Sequence, residues 1–131
     1  MTGIDELLQA CIDSLQFESE LTVDEWADRH RVLSSKASSE PGPWRTSRTP
    51  YLREPMQCLS VTSPVQRVVM QFGAQLGKTE TGANWLGYIV HHAPGPLLAV
   101  QPTVDMAKRL SKQRLESLIS ETPCLRELIA P

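Results

Sequence analysis

The chain has 131 residues, 40% of them hydrophobic and 21% charged, with a formal net charge of −2 and a pI near 5.9. That is enough for one small domain with a core of its own, and too apolar for a disordered chain. The acidic balance excludes a generally basic nucleic-acid-binding surface, though not a local basic patch.

Ile4, Leu7, Leu8, Cys11, Ile12 and Leu15 recur at helical spacing opposite Asp5, Glu6, Gln9 and Asp13. The pattern predicts an amphipathic helix whose apolar face packs on the rest of the domain, with docking to a partner protein as the alternative. Thr22-Val-Asp-Glu25 reads as a capping box opening a second helix through about His30, with Val23, Trp26 and Ala27 inward. His30 has no second ligand at i+4, so it reads as a surface residue rather than a metal ligand.

Residues 34–50 are rich in Ser and Thr around Pro41-Gly42-Pro43 and read as an extended connector. Within it, Trp44, Arg45 and Arg48 admit two readings: a tryptophan that pins the loop, or a segment lying beside nucleotide or DNA. Tyr51 to Leu59 is a short helix or turn. Thr62-Ser63-Pro64 then turns the chain into an apolar run.

That run is the centre of the chain. Val65, Val68, Val69, Met70 and Phe72 predict a mostly buried strand. Gly73-Ala-Gln-Leu-Gly77-Lys78-Thr79 follows as a loop, and a helix from Lys78 to about His91 comes next. Strand, glycine loop, Gly-Lys-Thr and helix together are the context of a phosphate-binding loop. Amides at a helix start, with the positive end of its dipole, can converge on a polyanion. Gly77 permits close backbone approach, Lys78 suits the β- and γ-phosphates, and the Thr79 hydroxyl suits Mg²⁺. The spacing is Gly-x-x-x-Gly-Lys-Thr, because Phe72 stands where the usual first glycine falls. A chance Gly-Lys-Thr at a helix start is the competing reading.

The helix after the loop is expected to bury Trp85, Leu86, Ile89 and Val90, with Gly82 and Gly87 packed close on the sheet. His91 and His92 at its end read as structural. Leu97 to Val100 predicts a second strand, ended by Gln101-Pro102. Thr103 caps a helix from Val104 to about Ser120 with Ala107, Leu110, Ser111, Leu115, Leu118 and Ile119 inward. Its basic residues Lys108, Arg109, Lys112 and Arg114 are a solvated face by default. Thr122-Pro123 starts a last short helix.

The fold class expected is α/β: an incomplete phosphate-loop βαβ core with a right-handed crossover, preceded by an N-terminal helical region. The corresponding segments are residues 1–33 (helical), 34–50 (connector) and 51–131 (partial phosphate-loop domain). Cys11, Cys58 and Cys124 are far apart with no Cys-x-x-Cys. They suggest neither a disulfide framework nor a zinc site, and fit reduced thiols in a cytosolic protein. No apolar run approaches membrane-spanning length, and the N-terminus carries acids where a signal peptide wants bases.

Several of these stretches resemble one family. Glu25-Trp-Ala-Asp-Arg-His-Arg-Val-Leu33, Pro43-Trp-Arg-Thr, Arg48-Thr-Pro-Tyr-Leu-Arg-Glu-Pro-Met56, Gly73-Ala-Gln-Leu-Gly-Lys-Thr-Glu80 and Val100-Gln-Pro-Thr103 look like the N-terminal region of the large terminase subunit of lambda-type tailed phages. The resemblance implies an ATP- and Mg²⁺-using DNA-packaging motor of the host bacterial cytoplasm, phage or prophage encoded. It implies double-stranded viral DNA, a small terminase subunit and a portal protein as partners. It assigns nucleotide contact to Gly73, Ala74, Gln75, Leu76, Gly77, Lys78, Thr79 and Glu80, with Lys78 catalytic and Thr79 on Mg²⁺. Many relatives carry an arginine inside the loop, where Ala74 and Gln75 stand here, and the region near Tyr51 is brought towards the adenine. The family's acidic Mg²⁺ and water-positioning pair has no match after Thr79, nor has its two-metal nuclease. Asp105, Glu116 and Glu121 sit on or at the end of a helix. The chain therefore reads as the front part of such a subunit, with nucleotide binding but no turnover expected, and with one sheet edge and part of a helix face lacking partners. A helicase-like ATPase fragment and a non-enzymatic docking module are the alternatives.

Overall fold

A computed structural model describes residues 3–15, 20–36 and 38–129. Thr22 opens α2 (Val23–His30) as the sequence requires. The Glu25 carboxylate reaches back and accepts from the Thr22 amide at 3.4 Å, the return half of the capping box. The helix then turns Val23, Trp26 and Ala27 fully inward. Trp26 lies across α4 (Lys78–His91) at Gly87, where a Cβ would sit 2.4 Å from Cη2 of the indole. Only a residue without a side chain lets the two helices meet this closely. The indole N–H also donates to His91 Nδ1 at 3.0 Å. Apolar packing and a polar anchor thus act through one side chain.

The other elements gather on α4. It packs against α2, α3 (Arg53–Cys58), α6 (Glu116–Glu121) and α7 (Pro123–Leu128). Its buried stripe is Thr81, Asn84, Gly87 and Tyr88. The expected stripe of Trp85, Leu86, Ile89 and Val90 is only half-buried. The helix is turned this way because its polar groups find partners at its own N-cap and in the segments flanking α2. Thr81 donates its hydroxyl to the Gly77 carbonyl, Asn84 accepts from Arg31, and the Tyr88 hydroxyl donates to the Leu21 carbonyl at 2.8 Å. Buried polar groups are tolerated on those terms. Gly87 accordingly serves Trp26 rather than a sheet, and Gly82 faces open space.

After α2 the chain forms β1 (Val32–Leu33), paired antiparallel with β2 (Gly42–Pro43), Val32 opposite Pro43 and Leu33 opposite Gly42. Trp44 follows and is buried. Its amide donates to the Arg31 carbonyl at 2.9 Å and its indole N–H to the Thr46 hydroxyl at 3.1 Å. Of the two readings of this tryptophan, the structure shows the pin. Arg45 is exposed, and Arg48 makes a surface ion pair with Glu40. Two 3₁₀ turns, Thr46–Arg48 and Pro50–Leu52, lead into α3. Later in the chain the Thr103 side chain accepts from the Met106 amide at 3.2 Å. It caps α5 (Val104–Arg109), which continues through a π-helical turn, Leu110–Leu115, into α6. Leu118 of α6 and Leu125 of α7 complete the core. His30 is half-buried rather than on the surface, its ring 4.9 Å from that of His91. Burial, and then His91, hold its pKa below the usual imidazole value.

Three further expectations are corrected. Among the described residues β1 and β2 are the only sheet; Val65–Phe72 and Leu97–Val100 carry no strand, so the βαβ unit is not formed. Burial does alternate from Val68 to Phe72, with even positions half-buried and odd ones exposed, the period of a pleat. Partner backbone is what the segment lacks. Parallel strands persist where both sheet faces are covered, whereas Val69 is 81%, Leu98 85% and Val100 76% exposed. The third concerns α1 (Gly3–Leu15). Ile4, Leu7, Leu8, Ile12 and Leu15 are all exposed, and no residue of the helix is buried. The apolar face exists, but it does not pack on the domain.

Candidate functional site

The stretch from Phe72 to Thr79 leaves an irregular segment and enters α4. Gly77 is the helix N-cap with φ +96°, and a Cβ there would lie 2.7 Å from Cδ1 of Leu52. Conformation and space both call for glycine. Gln75, at φ +59°, is the one non-glycine with left-handed backbone among the described residues. Backbone of this kind costs on the order of 1 kcal/mol or more and collects at ligand-binding turns. The helical ladder begins with the Thr81 amide on the Gly77 carbonyl at 2.9 Å. The preceding amides, of Lys78, Thr79 and Glu80, therefore have no helical acceptor and carry the positive end of the α4 dipole.

The Lys78 side chain folds back over the loop, and its ammonium donates to the Phe72 carbonyl at 3.0 Å. Residues 72–78 close into a ring. The ammonium is exposed, and its other donors are available to an anion. Lys78 and Thr79 border a cavity of about 330 Å³, walled chiefly by Trp85, Leu86, Leu98 and Leu115. Its charged lining is Lys78 and Arg114, both cationic. Tyr51 stands beside the loop, its half-exposed ring edge-on to Phe72 with centroids 6.1 Å apart.

Gly73, Ala74, Gln75, Leu76 and Gly77 form the turn that leads into α4, and Lys78 and Thr79 are the first two residues of that helix. The Glu80 side chain is placed differently. Its Oε2 accepts from Arg31 Nη2 at 2.7 Å and its Oε1 from Arg114 Nη1 at 3.0 Å. Arg31 is 7% exposed and also donates to Asn84 Oδ1 at 2.6 Å. Burial works against the charged form of Arg31 and holds its pKa below the usual guanidinium value, with Glu80 opposing the effect in part. Sequence reasoning missed this cluster. Arg31 and Arg114 lie 49 and 34 positions from Glu80, so no local spacing links them. The acids Asp105, Glu116 and Glu121 are exposed on the α5–α6 rod, and no group of three metal-ligating side chains occurs among the described residues.

Residues 38–131 match the family model described as the phage terminase large subunit gpA, ATPase domain. A terminase large subunit of Enterobacteria phage P21 is 29% identical over 108 residues, covering 82% of this chain and 16% of that protein. The chain therefore spans about a sixth of that relative's length. No solved structure matches significantly, and no helix among the described residues is long and apolar enough to cross a membrane.

Proposed function

The chain belongs to the phage terminase large subunit family, in its gpA-type ATPase domain, and from that premise we propose that the turn from Gly73 to Thr79 binds MgATP. The observation that carries the reading is the turn itself: left-handed Gly77 at the start of α4, with the Lys78 ammonium closed over it on the Phe72 carbonyl. The polyphosphate would lie against the first-turn amides of α4 and take further donors of Lys78. The Thr79 hydroxyl would hold Mg²⁺, which neutralises phosphate charge when bound. Tyr51, beside Phe72, would meet the base. In the family's whole subunit this binding would serve packaging of double-stranded viral DNA in the host cytoplasm, with a small terminase subunit and a portal protein as partners.

Titration of the purified chain with MgATP tests the proposal. Lys78→Ala should weaken binding at least about tenfold, the loss of one charge-assisted hydrogen bond of about 1.5–3 kcal/mol. Equal affinity in the two proteins would remove its basis. A second reading, docking through α1, is favoured by the exposed stripe of that helix. Ile4→Asp with Leu8→Asp should then abolish co-purification with a small terminase subunit, and unchanged recovery would dismiss it.

A further inference from the structure

Arg114 is the one charged residue of the cavity beyond the loop itself, and its position carries an inference that rests on the nucleotide-binding reading. It projects from the π-helical turn Leu110–Leu115. Such turns interrupt an α-helix at a local cost and recur at functional sites. It lines the cavity together with Lys78 and Thr79, and its Nη1 rests on Glu80 Oε1 at 3.0 Å.

The Glu80 carboxylate is shared. Its other oxygen holds Arg31 at 2.7 Å. The two arginines are not equivalent, since the Arg31 side chain is 7% exposed and that of Arg114 41% exposed. Arg31 is fixed in the core by Asn84 as well. Arg114 is the more exposed partner, on the solvent side, held by one hydrogen bond to Glu80. Its departure would leave Glu80 still neutralised by Arg31, so the exchange leaves no buried charge unpaired. The surface bond it gives up is weak. A phosphate beside Lys78 and Thr79 offers a stronger, bidentate acceptor.

We propose that Arg114 is a positioning cation for the terminal phosphate of a nucleoside triphosphate. Glu80 holds it at the cavity wall until the anion draws it away. A guanidinium set at that end would separate triphosphate from diphosphate, which Lys78 and the α4 amides grip alike. The site would thus read the phosphate count.

The test compares ATP and ADP, each with Mg²⁺, on the full chain and on Arg114→Ala and Arg114→Lys. Arg114 is partly exposed and its loss leaves the Glu80–Arg31 pair intact, so both variants should fold, as circular dichroism will show. The unsubstituted chain should prefer ATP. Arg114→Ala should lose about tenfold or more of ATP affinity, as expected for one charged hydrogen bond, with ADP affinity unchanged. Arg114→Lys should recover part of the preference, because it keeps the charge without the fork. An unaltered ATP-to-ADP ratio in Arg114→Ala overturns the inference while leaving the loop assignment standing. Equal losses for both nucleotides overturn it too, since they mark a role in loop structure. No binding of either nucleotide by the unsubstituted chain overturns both readings.

Discussion

Replacing Trp26 with alanine should destabilise the chain by about 3–5 kcal/mol, the usual cost of emptying a tryptophan site in a packed core. Domains of this size hold about 5–15 kcal/mol in total, so the variant should be near its unfolding threshold. The position is unusually unable to collapse. Trp26 is fully buried, and its ring rests directly on the Gly87 backbone, close to Leu125. Helix backbone cannot move into the space as a flexible side chain could. The substitution also strips His91 Nδ1 of the indole donor. Urea unfolding followed by far-ultraviolet circular dichroism measures the effect. At a slope of about 2 kcal/mol per molar urea the midpoint should fall by about 2 M. A fall corresponding to less than about 1 kcal/mol would mean that α2 does not hold α4 through this residue.

Glu80→Ala should cost about 3 kcal/mol or more, although Glu80 sits on the first turn of α4 beside the loop. The magnitude comes from what is left behind. Arg31, 7% exposed, would keep Asn84 as its one side-chain partner, and stranding a buried charge is more expensive than the net value of the pair. The double variant Glu80→Ala with Arg31→Met should recover much of the loss, because an apolar side chain in that space asks for no partner. The pair Arg48–Glu40, exposed at both ends, is the control: its removal should change stability by well under about 1 kcal/mol. The same denaturation series decides the matter. Loss from the double variant equal to the sum of the single losses would show that Arg31 and Glu80 do not depend on each other.

These energetics mark what could be read from the sequence. The capping box of Thr22 and Glu25, the Thr103 cap and the extent of α4 rest on interactions within a few residues, and they were legible. The start of α4 at Gly77 was legible for the same reason, since a helix cap is set by adjacent residues. The two strands were not, because pairing lies in a partner's backbone. Val68 to Phe72, expected as a mostly buried strand, alternates between half-buried and exposed residues with no strand beside it. The face of α4 was misread because Asn84 and Tyr88 look polar in sequence, and are buried only through Arg31 and Leu21 far along the chain. Arg114, on a basic stretch that reads as solvated surface, gains its place through Glu80 alone.

The central claim is that the turn between Phe72 and Thr79 holds a polyphosphate. Amide chemical shifts of ¹⁵N-labelled chain, recorded while MgATP is added, test it most directly. The account predicts saturable shifts that are largest from Gly73 to Glu80, and that in Lys78→Ala need at least about tenfold more nucleotide to reach the same extent. Shifts centred elsewhere, or a spectrum unmoved at millimolar nucleotide, would contradict it.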